Sequence, residues 1–372
     1  MSKRVLPILA VLCLWTSWAL AQADGNLQIH FIDVGQGDGA LLISPHGETV
    51  LFDDGALGFC DKPVSYLQQL GLTKVGYHIT SHYHSDHIGC AVEVLHECPL
   101  QHEAYDRGGS YQSGAYDRYV TAVGPHRTTA TDHTVITLDE NTASPVTIDI
   151  VALNGNGVVT TNENDLSVVA VVHFGDFDAE IGGDLSGYKT DSYEDIETSV
   201  APKVGKIEVY KVHHHGSRYS SNDTWLATTK PVIGIISTGD GNRYNHPTQE
   251  CLERLHKAGV KTYWTETGNG VAPEPGFDVV GGNILVETAP GSPTFTVRHN
   301  GTQVDTFSFS GSARSGGATS ATTVGTPKYA WSKLSKVYHY ATCTYVGNIS
   351  PGNLQRGDTP PSGKTLHKDC PK

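Results

Sequence analysis

The stretch Ser81-His82-Tyr83-His84-Ser85-Asp86-His87-Ile88-Gly89 decides how the rest of the chain reads. It follows the apolar run Val75–Ile79, which has strand character and delivers the segment to a loop at a sheet edge. In an extended piece of chain, His82 and His84 project to the same side and can share one cation. Asp86 and His87, turned by the next bend, can hold a second cation close by. Imidazole and carboxylate together suit zinc first, and admit manganese or iron. Three histidines and an aspartate within six residues are far denser than the scattered histidines of a polar surface loop.

Working outward, Leu27, Ile29 and Phe31 alternate with polar neighbours as a half-buried strand does. Leu41–Ile43, Val50–Phe52, Val168–Val172, Ile207–Val212 and Val232–Ile236 read as further strands, several of them apolar on both faces. Pro63–Leu70 and Pro247–Ala258 read as helices, the second opened by Pro247 and stopped by Gly259. The predicted class is α/β, two sheets with outer helices.

Four segments follow from composition. Lys3 and Arg4, the apolar run to Leu20 and Ala21-Gln22-Ala23 make residues 1–23 a cleavable export signal, too short to span a membrane. The mature chain is then expected outside the cytoplasm, secreted or periplasmic, with no stable membrane insertion. Residues 24–310 hold the strands and the metal loop. Residues 311–327 are a Gly/Ser/Thr-rich linker, and 328–372 form a small cysteine-containing module. Of seven cysteines, Cys13 leaves with the signal. The six that remain read as disulfides in an exported chain, with Cys90–Cys98 and Cys343–Cys370 the economical pairs. A formal charge of −13 excludes passive coating of nucleic acid, so any action on phosphates needs cations supplied locally.

Further motifs lie along residues 27–289: Phe31-Ile32-Asp33-Val34-Gly35-Gln36-Gly37-Asp38, Asn164-Asp165-Leu166-Ser167, Gly183-Asp184, Lys211-Val212-His213-His214-His215-Gly216-Ser217 and Asn242-Arg243-Tyr244-Asn245-His246-Pro247. With His-x-His-x-Asp-His after a strand, they resemble the metallo-β-lactamase superfamily, in the branch of ComEC-type competence proteins and phosphorylcholine esterases. The resemblance implies a four-layer αβ/βα sandwich with two divalent metal ions at one edge, zinc foremost and manganese the alternative. It implies His82, His84, Asp86 and His87 as ligands and Asp184 as the carboxylate bridging both ions. One of His214 and His215 completes the second site; His214 is preferred as ligand, with His215 left to reach substrate. His213 is expected in packing or behind the site.

Asp53 and Asp54 are expected to orient a ligand imidazole, with Asp38 also near the site. Much of the superfamily has another histidine some twenty residues before the bridging aspartate. Here Asn164 stands in that stretch and is expected beside the site. His173 is expected to be a strand residue with no metal role. A metal-bridging hydroxide is the expected nucleophile, oriented by Asp86, with His215 and His246 reaching the substrate; His246 is otherwise a cap for the helix at Pro247. The resemblance favours phosphodiesters, nucleic acid among them. The alternatives are a lactone, β-lactam or other carbonyl ester on the same site, or an exported binding protein with a dead site.

Overall fold

Period-two alternation along the strands sorts the apolar side chains into three cores, and three cores require four layers. Leu27, Ile29, Phe31, Leu42, Val50 and Phe52 of one sheet face Ala170, Val172, Phe174, Ile233 and Ile235 of a second. The residues between them turn outward. Leu41, Ile43 and Leu51 pack beneath α1 (Asp61–Gln69), α2 (Ser85–Ile88), α3 (Ala91–Glu97) and α4 (Gly114–Val123), which contribute Leu67, Ile88, Val94 and Tyr119. Val169, Val171 and Ile236 do the same on the other side, under α5 (Glu197–Val204), α6 (Asp223–Thr229) and α7 (Gln249–Lys257), where Val200, Trp225 and Leu252 are buried. The expected αβ/βα sandwich is the observed one.

The computed structural model describes residues 23–299, 303–309, 329–332, 335–340, 354–357, 361 and 363–367. The chain divides into two compact units, Met1–Ser312 and Ala313–Lys372. In the smaller unit the described strands form one sheet in the order Leu354–Gly357, Tyr329–Ser332, Val337–Tyr340, Thr365–Leu366. The export signal (but for Ala23), the linker 311–327, Cys343 and Cys370 lie outside the described residues.

Within the larger unit, Thr49–Phe52, Tyr77–Ile79, Ala104–Asp106 and Arg127–Thr129 run parallel in the first sheet. Phe177–Ile181, Val209–Lys211, Ile233–Ile236 and Lys261–Trp264 run parallel in the second. Loops that leave the carboxyl ends of parallel strands gather at one edge, where open α/β sheets form their clefts. Asp53, Ser81–His87, Asp184, His213–His215 and Ser237 all lie on such loops.

The expected elements recur with shifted ends. The strand before the metal loop begins at Tyr77, because the Gly76 N–H is taken by the Thr49 hydroxyl at 2.9 Å instead of a neighbouring backbone. Helix α7 begins at Gln249, not Pro247, and its N-cap is Thr248, whose N–H donates to the Gly216 carbonyl at 2.9 Å. His246 therefore caps nothing. The pairing Cys90–Cys98 is overturned: Cys90 is bonded to Cys60, and Cys98 is a buried free thiol. Cys90 and Cys98 flank the two ends of α3, roughly 12 Å apart at 1.5 Å per residue, beyond the reach of a disulfide.

Candidate metal centre

The metal loop starts extended and then coils, as its spacing requires. His84 has φ −68° and ψ 150°, and α2 begins at the next residue. His82 and His84 accordingly meet on one side, His82 Nε2 lying 3.0 Å from His84 Nδ1. Asp86 and His87 sit in the single turn of α2. The loop carrying Asp38 presses against that turn, the Asp38 N–H donating to the Asp86 carbonyl at 3.2 Å. Only glycine allows this approach at position 37, where φ is +147° and a Cβ would stand 2.2 Å from the same carbonyl oxygen.

Asp184 lies at the middle. Its Oδ1 is 3.4 Å from His87 Nε2 and 3.5 Å from His215 Nε2. Its Oδ2 is 4.0 Å from His82 Nε2 and 3.8 Å from His214 Nε2. One carboxylate thus presents each oxygen to a different pair of imidazoles. Asp86 Oδ2 joins the first pair, 3.4 Å from His215 Nε2, and is the more open ligand candidate, its side chain 24% exposed. His84 joins the second through His82.

The surrounding groups fix which ring nitrogen faces inward. His87 Nδ1 donates to Asp53 Oδ2 at 2.8 Å, and Asp53 is itself held by the Ser81 N–H and hydroxyl at 2.8 and 2.7 Å. His215 Nδ1 donates to the Ser237 carbonyl at 3.0 Å and lies 3.2 Å from Asp38 Oδ1. A carbonyl only accepts, so His215 Nδ1 carries a proton, and Nε2 is the nitrogen that faces Asp184. Asp38 is paired in turn with the buried Lys211 ammonium at 2.8 Å.

Burial disfavours charge on His82, His87, His214, His215 and His246. At His87 it is outweighed by Asp184 and Asp53, and at His215 by Asp184 and Asp38, so both rings are held well above the usual range. At His82 burial wins, reinforced by His87, and the ring is pushed well down. Burial likewise lowers His214 to about 4, and His246 to about 3 with His214 and His215 adding to the effect. Burial also opposes charge on Asp184, yet the surrounding imidazoles hold its carboxyl well below the ordinary range.

The donor set fits divalent cations. His87 Nε2, His215 Nε2 and Asp184 Oδ1 are buried without a hydrogen-bond partner, which is costly unless something positive lies between them. Ligand atoms of His82, His87 and Asp184, and of Asp86, His87 and His215, lie within 4.8 Å of one another.

Not every expected residue joins. Asp54 turns away and pairs with buried His78 at 3.0 Å, so Asp53 alone of the two reaches a site imidazole. His173 lies in its strand, 2.6 Å from Asp178. Asn164 does lie beside the site, its Nδ2 3.4 Å from His214 Nε2. The His246 ring stands 5.1 Å from that of His214. Where spacing left His214 and His215 as alternatives, the structure brings both to Asp184, on opposite oxygens. Ser81, Ser237 and Lys211 were missed, as was Tyr193, whose ring is 5.8 Å from His214. Lys211 carried a signal: a lysine inside an apolar strand needs a buried partner.

No family model matches the chain. The metallo-β-lactamase fold protein YhfI from Bacillus subtilis is similar to it at 10% identity and a TM-score of 0.39, over 65% of this chain and 98% of that one. In sequence, it is 28% identical over 235 residues to Recombination protein 2 of Haemophilus influenzae (strain ATCC 51907 / DSM 11121 / KW20 / Rd), over 62% of this chain and 26% of that protein. It is 24% identical over 263 residues to ComE operon protein 3 of Bacillus subtilis (strain 168), over 64% of this chain and 32% of that protein. These relatives support the resemblance to the ComEC-type branch of the metallo-β-lactamase superfamily that the motifs carry. The chain spans about a third of the length of one of these curated relatives and about a quarter of the other. It departs from the common pattern of that superfamily at Asn164, which stands where a histidine is usual and lies beside His214.

Proposed function

We propose that the chain is a metal-dependent hydrolase that cleaves phosphodiester bonds, with two divalent cations, zinc foremost, held on either side of Asp184. The observation that carries this is the division of Asp184, Oδ1 toward His87 and His215 and Oδ2 toward His82 and His214. His87, His215 and Asp86 would hold one cation, and His82, His84 and His214 would hold the other. Bound there, the pair supplies Lewis acidity and lowers the pKa of coordinated water to about 7.

The chain's own residues do the rest. Asp53 and Asp38 keep the His87 and His215 rings turned inward. His215, its Nδ1 held by Ser237 and Asp38 and its Nε2 turned to Asp184, is assigned as a ligand and not as a substrate contact. His246 stays neutral, and one of its buried nitrogens has no partner, so it can donate to a phosphate oxygen or the leaving group. Asp86, at the open side, accepts a proton from the attacking water or orients it. Lys211 is spent on Asp38, which leaves the cations as the local positive charge for an anionic substrate. Phosphodiesters are favoured over carbonyl substrates by the relative named Recombination protein 2, since recombination acts on nucleic acid.

An exported location is part of the same proposal. The Cys60–Cys90 bond supports it, because disulfides persist in oxidising compartments. Among the described residues no helix is long and apolar enough to cross a membrane. The test is a side-by-side assay of the zinc- or manganese-loaded chain on bis(4-nitrophenyl) phosphate, a simple lactone and a β-lactam. Turnover of the diester above the other two is expected. Lactone or β-lactam turnover with no diester cleavage would move the proposal to acyl chemistry, and no turnover of any would favour a dead site.

A further inference from the structure

His214 and His215 are consecutive residues with φ of 50° and 54°, a left-handed conformation that side chains with a Cβ avoid. Two such residues in a row need surroundings that hold them. This turn is what allows neighbouring rings, 6.2 Å apart and 72° to one another, to face opposite oxygens of Asp184.

Directly before them, His213 is fully buried. Its Nδ1 lies 2.7 Å from Glu197 Oε1 and its Nε2 3.0 Å from Glu180 Oε1. Its N–H donates to the Tyr210 hydroxyl at 3.2 Å, and its carbonyl accepts from the Ser220 hydroxyl at 2.8 Å. Glu197, in the first turn of α5, also accepts the Ser221 and Asn222 N–H groups at 2.7 Å each. The same cluster lies under the other half of the site. A Cβ at Gly182 would stand 2.2 Å from Glu180 Oε1 and 2.7 Å from His213 Nε2, and the His214 N–H donates to the Gly183 carbonyl at 3.1 Å.

We propose that His213, clamped between Glu180 and Glu197, is a positioning residue that holds the His214–His215 turn in register with Gly182-Gly183-Asp184, and so makes the centre two-sided before any cation arrives. The proposal rests on the reading of Asp184 as a bridge. His213 touches no substrate or cation; it acts through the two residues that follow it.

The test measures cation binding and backbone protection, not turnover. Zinc is titrated calorimetrically into wild type, His213→Gln, Gly182→Ala and His173→Ala, each checked for fold by circular dichroism. His173→Ala removes another histidine–carboxylate pair away from the site and is expected to bind as wild type. His213→Gln and Gly182→Ala are each expected to lose one equivalent or to weaken at least one tenfold. A folded His213→Gln that binds two cations with wild-type affinity would overturn the proposal. Hydrogen exchange on the metal-free wild type needs no variant. Slow exchange of the amides of 213–217 without metal is expected, and fast exchange that slows only on adding zinc would show that the cations build the turn. If wild type binds no zinc, the bridging reading fails, while the exchange result still decides whether the turn is preformed.

Discussion

Removing the Cys60–Cys90 bond, as Cys60→Ser/Cys90→Ser, should destabilise the larger unit without emptying the centre. The bond closes a loop with a sequence separation of 30. The chain-entropy relation gives about 12 cal/mol/K for a loop of that length, or roughly 3.6 kcal/mol at 25 °C. The metal loop keeps other ties to the segment that holds Cys60. The Asp54 N–H donates to the His87 carbonyl at 2.6 Å, the Gly89 N–H donates to the Gly55 carbonyl at 2.9 Å, and Asp53 still grips His87. Destabilisation therefore acts mainly through the unfolded chain, and zinc stoichiometry stays that of wild type. Urea unfolding, followed through the near-ultraviolet signal of the buried Trp225 and Trp264, measures the first effect and elemental analysis the second. Cys98→Ser serves as control and should change neither by more than its small packing loss. Equal stability of the double variant and wild type, or peptide mapping that finds Cys98 bonded to Cys90, would refute the reasoning.

Other outcomes follow from the same geometry. Asp184→Asn weakens the bridge and should cost at least a hundredfold in diester turnover, whereas His173→Ala should stay within threefold at equal metal content; steady-state kinetics on folded, metal-assayed protein decides it. His30 is lowered to about 4 by burial beside Tyr66 and Gln28, so its contribution is fully present above its unfolded pKa near 6.5 and is lost as pH falls toward 4. That loss is about 3 kcal/mol, and the wild-type minus His30→Gln difference in urea stability should shrink accordingly between pH 7 and 4. Ending the chain after Ala313 leaves the whole centre in place and should leave turnover of a small diester nearly unchanged; its collapse in a folded, metal-loaded protein would show that the tail builds part of the site.

Much of this was legible because it is local. His82, His84, Asp86 and His87 lie in one loop whose extended start and following bend can be read from spacing alone, and the apolar runs pointed to two sheets with outer helices before any strand order was known. What stayed hidden depends on long-range placement. Asp53 and Asp54 are equivalent in sequence, yet one side chain turns to His87 and the other to His78 beneath the sheet. His214 and His215 could not be separated because the outcome rests on two consecutive left-handed residues, which spacing along the sequence does not reveal. The economical disulfide failed on the length of α3, a constraint that appears only once residues 91–97 are known to be helical.

Anomalous diffraction from crystals of the zinc-loaded chain tests the central claim most directly. The account predicts two peaks, roughly 3.5–4 Å apart as in other two-metal sites, one beside Asp184 Oδ1 among Asp86, His87 and His215, the other beside Oδ2 among His82, His84 and His214. A single peak with no electron-dense partner across Asp184, or peaks away from that carboxylate, would contradict it.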